Sequence, residues 1–240
     1  MAAVILSASG IAKFFGGLRA VDGVDFALEQ GEIHALIGPN GAGKTTFVSL
    51  LSGRIAPDQG RISLGGTDIT RLPAHQRVQR GIAYTFQITS IYPGLSVFDN
   101  VALAAQACGV KDLETAVQAA LRRVNMADLA RQQAATLSYG HQRLLEVAMG
   151  LALNPKVLIL DEPTQGLASG EIAGFVALVR SLVPETSVLL IEHNMDVVMD
   201  LAQRITVLNH GQVLARGTPA EIRANRAVQA AYLGVEDAEA

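Results

Sequence analysis

Hydrophobic and polar positions divide this chain into stretches of different period. Residues 4–30 alternate: Val21-Asp22-Gly23-Val24-Asp25-Phe26-Ala27-Leu28 places apolar side chains at every second or third position, which predicts half-buried strands. Ile33-His34-Ala35-Leu36-Ile37 is mostly apolar and β-prone, and after a glycine-rich loop Phe47-Val48-Ser49-Leu50-Leu51 continues a helix that stops near Gly53. Ala56-Pro57-Asp58-Gln59-Gly60 is a turn, Arg61-Ile62-Ser63-Leu64-Gly65-Gly66 reads as strand and turn, and Ile82-Ala83-Tyr84-Thr85-Phe86 reads as a strand ending at Gln87. From there to about Pro155 strand signals vanish, and Ala, Leu, Gln and Arg dominate residues 100–131, which predicts an inserted helical subdomain. Ser96 is placed to cap its first helix near Val97, with Asp99 in the first turn. A later helix carries Leu144, Leu145, Ala148, Leu151 and Ala152 on one face and ends at Asn154-Pro155.

Two short unbroken apolar runs follow, Val157-Leu158-Ile159-Leu160 and Val188-Leu189-Leu190-Ile191, with a helix predicted between them over residues 169–183. Such runs fit strands covered on both faces, as in a parallel sheet. The alternation of strand and helix predicts an α/β chain. The tail from Gly217 reads as helical, with Pro219-Ala220-Glu221 opening a turn of helix.

Composition narrows the class. In 240 residues, 50% are hydrophobic and 17% charged, enough apolar material for a sizeable core and too little charge for a disordered chain. The net charge of -3 argues against a nucleic-acid binder that works through a basic surface. The single cysteine, Cys108, excludes an internal disulfide and suits a small buried apolar role. Met1-Ala2-Ala3-Val4-Ile5-Leu6 lacks the basic residues of a secretory leader, and no run of about eighteen apolar residues is present to span a bilayer. Work at a membrane would therefore need a partner to hold the chain there.

The candidate chemistry centres on Gly38-Pro39-Asn40-Gly41-Ala42-Gly43-Lys44-Thr45-Thr46. Glycine, four residues, then Gly-Lys-Thr between a strand and a helix is the pattern of a phosphate loop. Backbone N–H groups there make a concave anion site, Lys44 is suited to the β- and γ-phosphates, Thr45 to Mg²⁺, and Thr46 to the α-phosphate or a helix contact. Asp161 ends a buried strand, where it can hold Mg²⁺, and Glu162 beside it can act as general base toward water. Gln87 and His193 also follow predicted strands, so four polar groups should meet at the carboxyl edge of one sheet. Phe14 and Phe15 precede the turn Gly16-Gly17; at least one should be core, while Phe15 has the π-face to stack on a base.

These motifs together resemble the ATP-binding-cassette (ABC) ATPases of membrane transporters. Residues 38–45 match Walker A, 157–161 match Walker B with Glu162 following, Gln87 matches the Q-loop, and His193 the switch histidine. Leu137-Ser138-Tyr139-Gly140-His141-Gln142 resembles the discriminating signature Leu-Ser-Gly-Gly-Gln, with Tyr139 in place of a glycine and His141 ahead of Gln142. The D-loop, Gln165-Gly166-Leu167-Ala168, has Ala168 where many members carry an acidic residue.

The resemblance implies a RecA-like P-loop core with an N-terminal antiparallel β subdomain and an inserted helical signature subdomain. The expected boundaries are 1–87 and 156–240 for the core with its β subdomain, and 88–155 for the helical insert. It implies ATP and Mg²⁺ as cofactors. It assigns catalytic roles to Glu162, His193 and Gln87, metal contacts to Thr45, Gln87 and Asp161, and adenine stacking to Phe15. It places Ser138 and Gly140 at a helix start, where they would cap the γ-phosphate held by a second subunit of a homodimer or heterodimer. The implied partners are integral membrane permease subunits and, indirectly, a solute-binding protein, at the cytoplasmic face of the plasma membrane. A soluble cassette ATPase acting on nucleic acid or ribosomes is the alternative, but it usually has a long coiled-coil insertion or two cassettes, and neither is present.

Softer cues resemble the branched-chain amino acid importers: Phe14-Phe15-Gly16-Gly17-Leu18-Arg19-Ala20-Val21, Thr85-Phe86-Gln87, Ile191-Glu192-His193-Asn194-Met195-Asp196 and Ala231-Tyr232-Leu233-Gly234. The stretch Ile88-Thr89-Ser90-Ile91-Tyr92-Pro93-Gly94-Leu95 is the expected permease contact, because exposed aromatic and aliphatic residues need a cover.

Overall fold

The structure is a computed structural model that describes residues 3–85 and 90–233. The alternating N-terminal stretch forms a long hairpin, β1 (Val4–Phe15) and β2 (Leu18–Glu29), closing at Gly16-Gly17 with Phe15 opposite Leu18. With β4 (Gln59–Leu64) and β5 (Thr67–Asp68) it makes a four-stranded antiparallel sheet in the order β2-β1-β4-β5. Its inward side chains, Leu6, Ile11, Val24, Phe26 and Leu28, join Phe47, Leu50 and Leu51 of α1 (Lys44–Ser52) in one apolar cluster. That packing fixes the phosphate-loop helix between the two sheets.

The second sheet runs β10-β9-β3-β8-β7-β6. Its central strands β3 (Ile33–Ile37), β7 (Val157–Asp161) and β8 (Ser187–Ile191) are buried at every position, as continuous apolar runs require in a parallel sheet covered on both faces. β6 (Ile82–Tyr84) pairs with β7 and β9 (Arg204–Asn209) with β3, all parallel, and β10 (Gln212–Gly217) closes the edge antiparallel to β9. β6 is shorter than its sequence suggests: strand pairing stops at Tyr84, although the Thr85 amide still reaches the Ile159 carbonyl at 2.9 Å.

Between β6 and β7 lie α3 (Val97–Ala107), α4 (Leu113–Arg123) and α5 (Tyr139–Leu151), the expected helical insert. Ser96 caps α3 and accepts from the Asp99 amide, as its sequence indicates. The insert shares one cluster with the core sheet: Val101, Leu121 and Leu145 pack with Leu158 and Leu160 of β7 and with Phe175 and Val179 of α6 (Ser169–Leu182). The chain ends in α7 (Met195–Leu201), α8 (Pro219–Ala224), capped by Thr218 with Glu221 reaching back, and α9 (Arg226–Leu233). Among the described residues no helix is long and apolar enough to cross a membrane.

Two features depart from the sequence reading. Neither Phe14 nor Phe15 is core: Phe14 is half-buried under the Arg19 guanidinium, 5.8 Å from its ring centroid, and Phe15 is exposed. Both sit where the hairpin runs beyond the cluster that could cover them. In the opposite sense, Arg77 of α2 (Ala74–Gln79) is fully buried. Its guanidinium donates to the Leu50, Leu51, Leu72 and Thr70 carbonyls at 2.7–2.9 Å, so it closes the carboxyl end of the phosphate-loop helix.

Candidate nucleotide site

Parallel order brings the ends of β3, β7 and β8 to one edge. After β3 the chain turns through the glycine-rich loop into α1. Gly43 holds φ +98°, and a Cβ there would lie 2.3 Å from the Ala20 carbonyl, so glycine is obligatory. No side chain caps α1, which leaves its first turn open to an anion. Lys44 folds over the loop and donates to the carbonyls of Gly38 at 2.6 Å and Pro39 at 3.0 Å. Burial lowers its pKa, and the nearby Glu162 and Asp161 carboxylates pull it back up. Asn40, Gly41, Ala42, Gly43, Lys44, Thr45 and Thr46 line a cleft of about 470 Å³, together with Glu162, His193 and His210.

Asp161 is the last residue of β7 and only 4% exposed. The Tyr84 hydroxyl donates to its Oδ2 at 2.6 Å. Burial pushes the Asp161 pKa up, against the pull of Tyr84, and burial with that same contact pushes the Tyr84 phenol up as well. Thr45 and Asp161 offer the hard oxygen donors that Mg²⁺ prefers.

Glu162 adopts φ +49°, a left-handed conformation that is strained for a non-glycine residue. Its amide donates to the Ile191 carbonyl at 2.8 Å, which ties the turn after β7 to the end of β8. The same turn brings Glu162 Oε1 to 2.9 Å from His193 Nε2. Two of the three predicted catalytic side chains therefore meet at the mouth of the phosphate-loop cleft.

What holds this turn was missed in the sequence. Glu192 is 3% exposed, and its Oε1 accepts from the Thr164 amide and hydroxyl at 2.8 and 2.6 Å. Its Oε2 accepts from the His193 and Asn194 amides at 3.1 and 3.3 Å. One carboxylate thus joins the segment carrying Glu162 to the segment carrying His193. An acidic residue directly before the predicted switch histidine was the available signal. Glu192→Gln replaces one acceptor oxygen with a donor NH2 facing N–H groups. Losing charge-assisted bonds of this kind costs about 1.5–3 kcal/mol. We therefore expect maximal ATP turnover lower by at least about tenfold, with KM for ATP changed by about twofold at most. Steady-state kinetics beside a thermal melt checks this, and an unchanged kcat in a folded variant rejects it.

The remaining predicted residues lie elsewhere. Phe15 is 49% exposed at the hairpin tip, with Lys13 Nζ 5.6 Å from its ring centroid; Leu18, Arg19 and Ala20, across the turn, line the cleft instead. Ser138 caps α5, and its Oγ lies 2.8 Å from His141 Nδ1. Neither Ser138 nor Gly140 lines the phosphate-loop cleft; Gly140 borders a larger cleft of about 610 Å³ between α4, α5 and α6. One chain does not bring Ser138 and Lys44 into one cavity. Gln87 falls outside the described residues.

The model of the ABC transporter family matches residues 21–165. The chain belongs to the ABC transporter ATP-binding family. A second model, the branched-chain amino acid ATP-binding cassette transporter, matches residues 212–238 of this ABC protein, across β10 and the two helices that follow. It is 39% identical to the high-affinity branched-chain amino acid transport ATP-binding protein BraF of Pseudomonas aeruginosa, over 98% of this chain and 99% of that protein. It is equally 39% identical to LivG of Escherichia coli, with the same coverage. Among solved structures, a nucleotide-free ATP-binding cassette superposes with a TM-score of 0.88 at 26% identity, covering 97% of this chain and all of that one. The ADP conformation of another cassette gives 0.88 at 28% identity, covering 97% and 99%. The α/β P-loop fold and the nucleotide-binding role in an ABC transporter follow from these matches.

Proposed function

We propose that this ABC subunit hydrolyses Mg-ATP and energises an importer of branched-chain amino acids or a closely related small solute. The observation that carries the hydrolytic part is the Glu162–His193 pair, set by Glu192 at the mouth of the phosphate-loop cleft. In this reading the loop amides and Lys44 bind the β- and γ-phosphates, and Phe15 stacks on the adenine. Thr45, Asp161 and Gln87 would hold Mg²⁺, which supplies charge neutralisation at the phosphates when bound. Glu162 takes the proton of the attacking water, and His193 orients Glu162 and the γ-phosphate end of the cleft. Ser138 and Gly140 act on the nucleotide of a second subunit, which agrees with their separation from Lys44 within one chain. The segments 1–87 and 156–240 serve as the core with its β subdomain, and 88–155 as the insert that meets the permease.

The solute class rests on the names of the BraF and LivG relatives and on the family match at residues 212–238. Permease docking is supported by exposure: Tyr92 is 54%, Leu95 37% and Leu103 40% exposed on the insert, whereas Ile91 packs into its core. The protein would then sit peripherally at the cytoplasmic face of the membrane.

The test is reconstitution with the neighbouring permease and solute-binding protein in vesicles. ATP-driven uptake of leucine, isoleucine or valine is expected, and it should vanish with Lys44→Ala. The double variant Tyr92→Ala, Leu95→Ala should stay folded and bind ATP but lose association with the permease. ATP-driven uptake of none of these amino acids would overturn the solute assignment. A double variant that still docks would move the docking surface elsewhere.

A further inference from the structure

The signature helix carries a row of polar side chains that the nucleotide chemistry does not use. Tyr139, Arg143 and Glu146 lie four and three residues apart, so they form one stripe along α5. At its amino end the Tyr139 ring lies against Gly166, in the turn that follows β7. Gly166 holds φ +79°, and a Cβ there would fall 2.8 Å from Tyr139 Cε1. The Arg143 Nε donates to the Tyr139 hydroxyl at 3.2 Å, and the guanidinium lies 5.4 Å from the ring centroid. Arg143 Nη1 then donates to Glu146 Oε2 at 3.1 Å, both side chains being almost fully buried. At the far end Glu146 Oε1 accepts the Ser90 amide at 2.7 Å.

We propose that Arg143 and Glu146 are positioning residues that join Tyr139, seated on the D-loop glycine, to the backbone at Ser90. A shift at the signature end of α5 is thereby transmitted to the segment from Ser90 to Tyr92.

A buried ion pair is a costly way to stabilise a helix, because desolvation offsets most of its attraction. An apolar pair of similar volume would pack the same space. What the ion pair adds is direction: each donor fixes the next acceptor. Burial pushes the Glu146 pKa up, and the Ser90 amide and Arg143 pull it back down. Tyr139, where the family signature has a glycine, supplies the phenol that starts this row. Its ring also accounts for the tight contact at Gly166, two positions before Ala168, where this chain lacks the acidic D-loop residue.

The inference rests on the proposed ATPase reading only in requiring that ATP bind and bring two chains together. It is tested by hydrogen–deuterium exchange in a Glu162→Gln background, with and without ATP, following peptides that contain the Ser90 amide. ATP should change Ser90 exchange in that background. Adding Tyr139→Phe keeps the ring on Gly166 but removes the hydroxyl, and it should cut the ATP-dependent change by about threefold or more, as expected for one lost hydrogen bond. Adding Glu146→Gln should speed Ser90 exchange about tenfold without ATP, because the amide loses a charged acceptor. A role confined to packing would leave Ser90 unaffected by Tyr139→Phe, since that residue does not touch Ser90. An ATP response that is absent in the Glu162→Gln background, or identical with and without Tyr139→Phe, overturns the inference. ATP binding is read separately by equilibrium titration, so failure of this connection and failure of the ATPase reading give different results.

Discussion

Glu162→Gln is expected to lower steady-state ATP turnover by about 10²–10⁴-fold, the range for loss of a general base. ATP affinity should stay within about threefold, because this side chain binds no phosphate in the proposed mechanism. The expectation comes from geometry. Glu162 is held in a strained left-handed conformation by the hydrogen bond its backbone N–H donates to the Ile191 carbonyl, and its carboxylate is aimed at His193 across the cleft from Lys44. A glutamine fits the same space and can still accept from His193, but it cannot take a proton from water. ATP should then persist, and the variant should accumulate as a dimer with ATP trapped between the chains. Phosphate release assays and size-exclusion chromatography with ATP read the two effects. Turnover equal to the parent would reject the general-base role.

The second large effect concerns folding. Arg77→Ala is expected to destabilise the protein by about 3–5 kcal/mol. Among the described residues, no carboxylate is in hydrogen-bonding contact with Arg77. Its charge is balanced by four carbonyls, two of them at the carboxyl end of α1, where the helix dipole is negative. Burial pulls its pKa down to about 10, so it remains charged at neutral pH. Truncation removes one donor from each of those acceptors, although the Leu50 carbonyl keeps the Gly53 amide, and it opens a cavity beneath Gly53, whose backbone packs against the guanidinium. Arg77→Lys keeps the charge but reaches fewer acceptors, and it should lose an intermediate amount. Denaturant midpoints measure both. A shift below about 1 kcal/mol for the alanine variant would show that the carbonyls find other partners. Because Arg77 secures the far end of α1, ATP affinity should fall along with stability.

Much of this site was legible without coordinates. The phosphate loop, the carboxylates Asp161 and Glu162, and His193 follow apolar runs short enough to be strands, and a parallel sheet must present such residues on one edge. The caps at Ser96 and Ser138 are equally local, since each needs only a hydroxyl ahead of a helical pattern. Arg77 and Glu192 gave no comparable signal. A lone arginine in a short helix and an acid before a histidine are ordinary surface residues until other segments close over them.

The chain's local order therefore determined the fold class, the strand–loop–helix that cradles phosphate, and the residue types at the carboxyl edge of the sheet. Those depend on period, turn chemistry and glycine, all of which act within a few residues. Only the tertiary structure decided that neither Phe14 nor Phe15 is core, that Ser138 does not line the cleft that holds Lys44, and that Arg77, Glu146 and Glu192 are buried. Each depends on what packs against the residue from a distant part of the chain: 28 positions separate Thr164 from Glu192, and 56 separate Ser90 from Glu146. Burial and hydrogen-bond partnership are properties of that packing, and no local pattern encodes them.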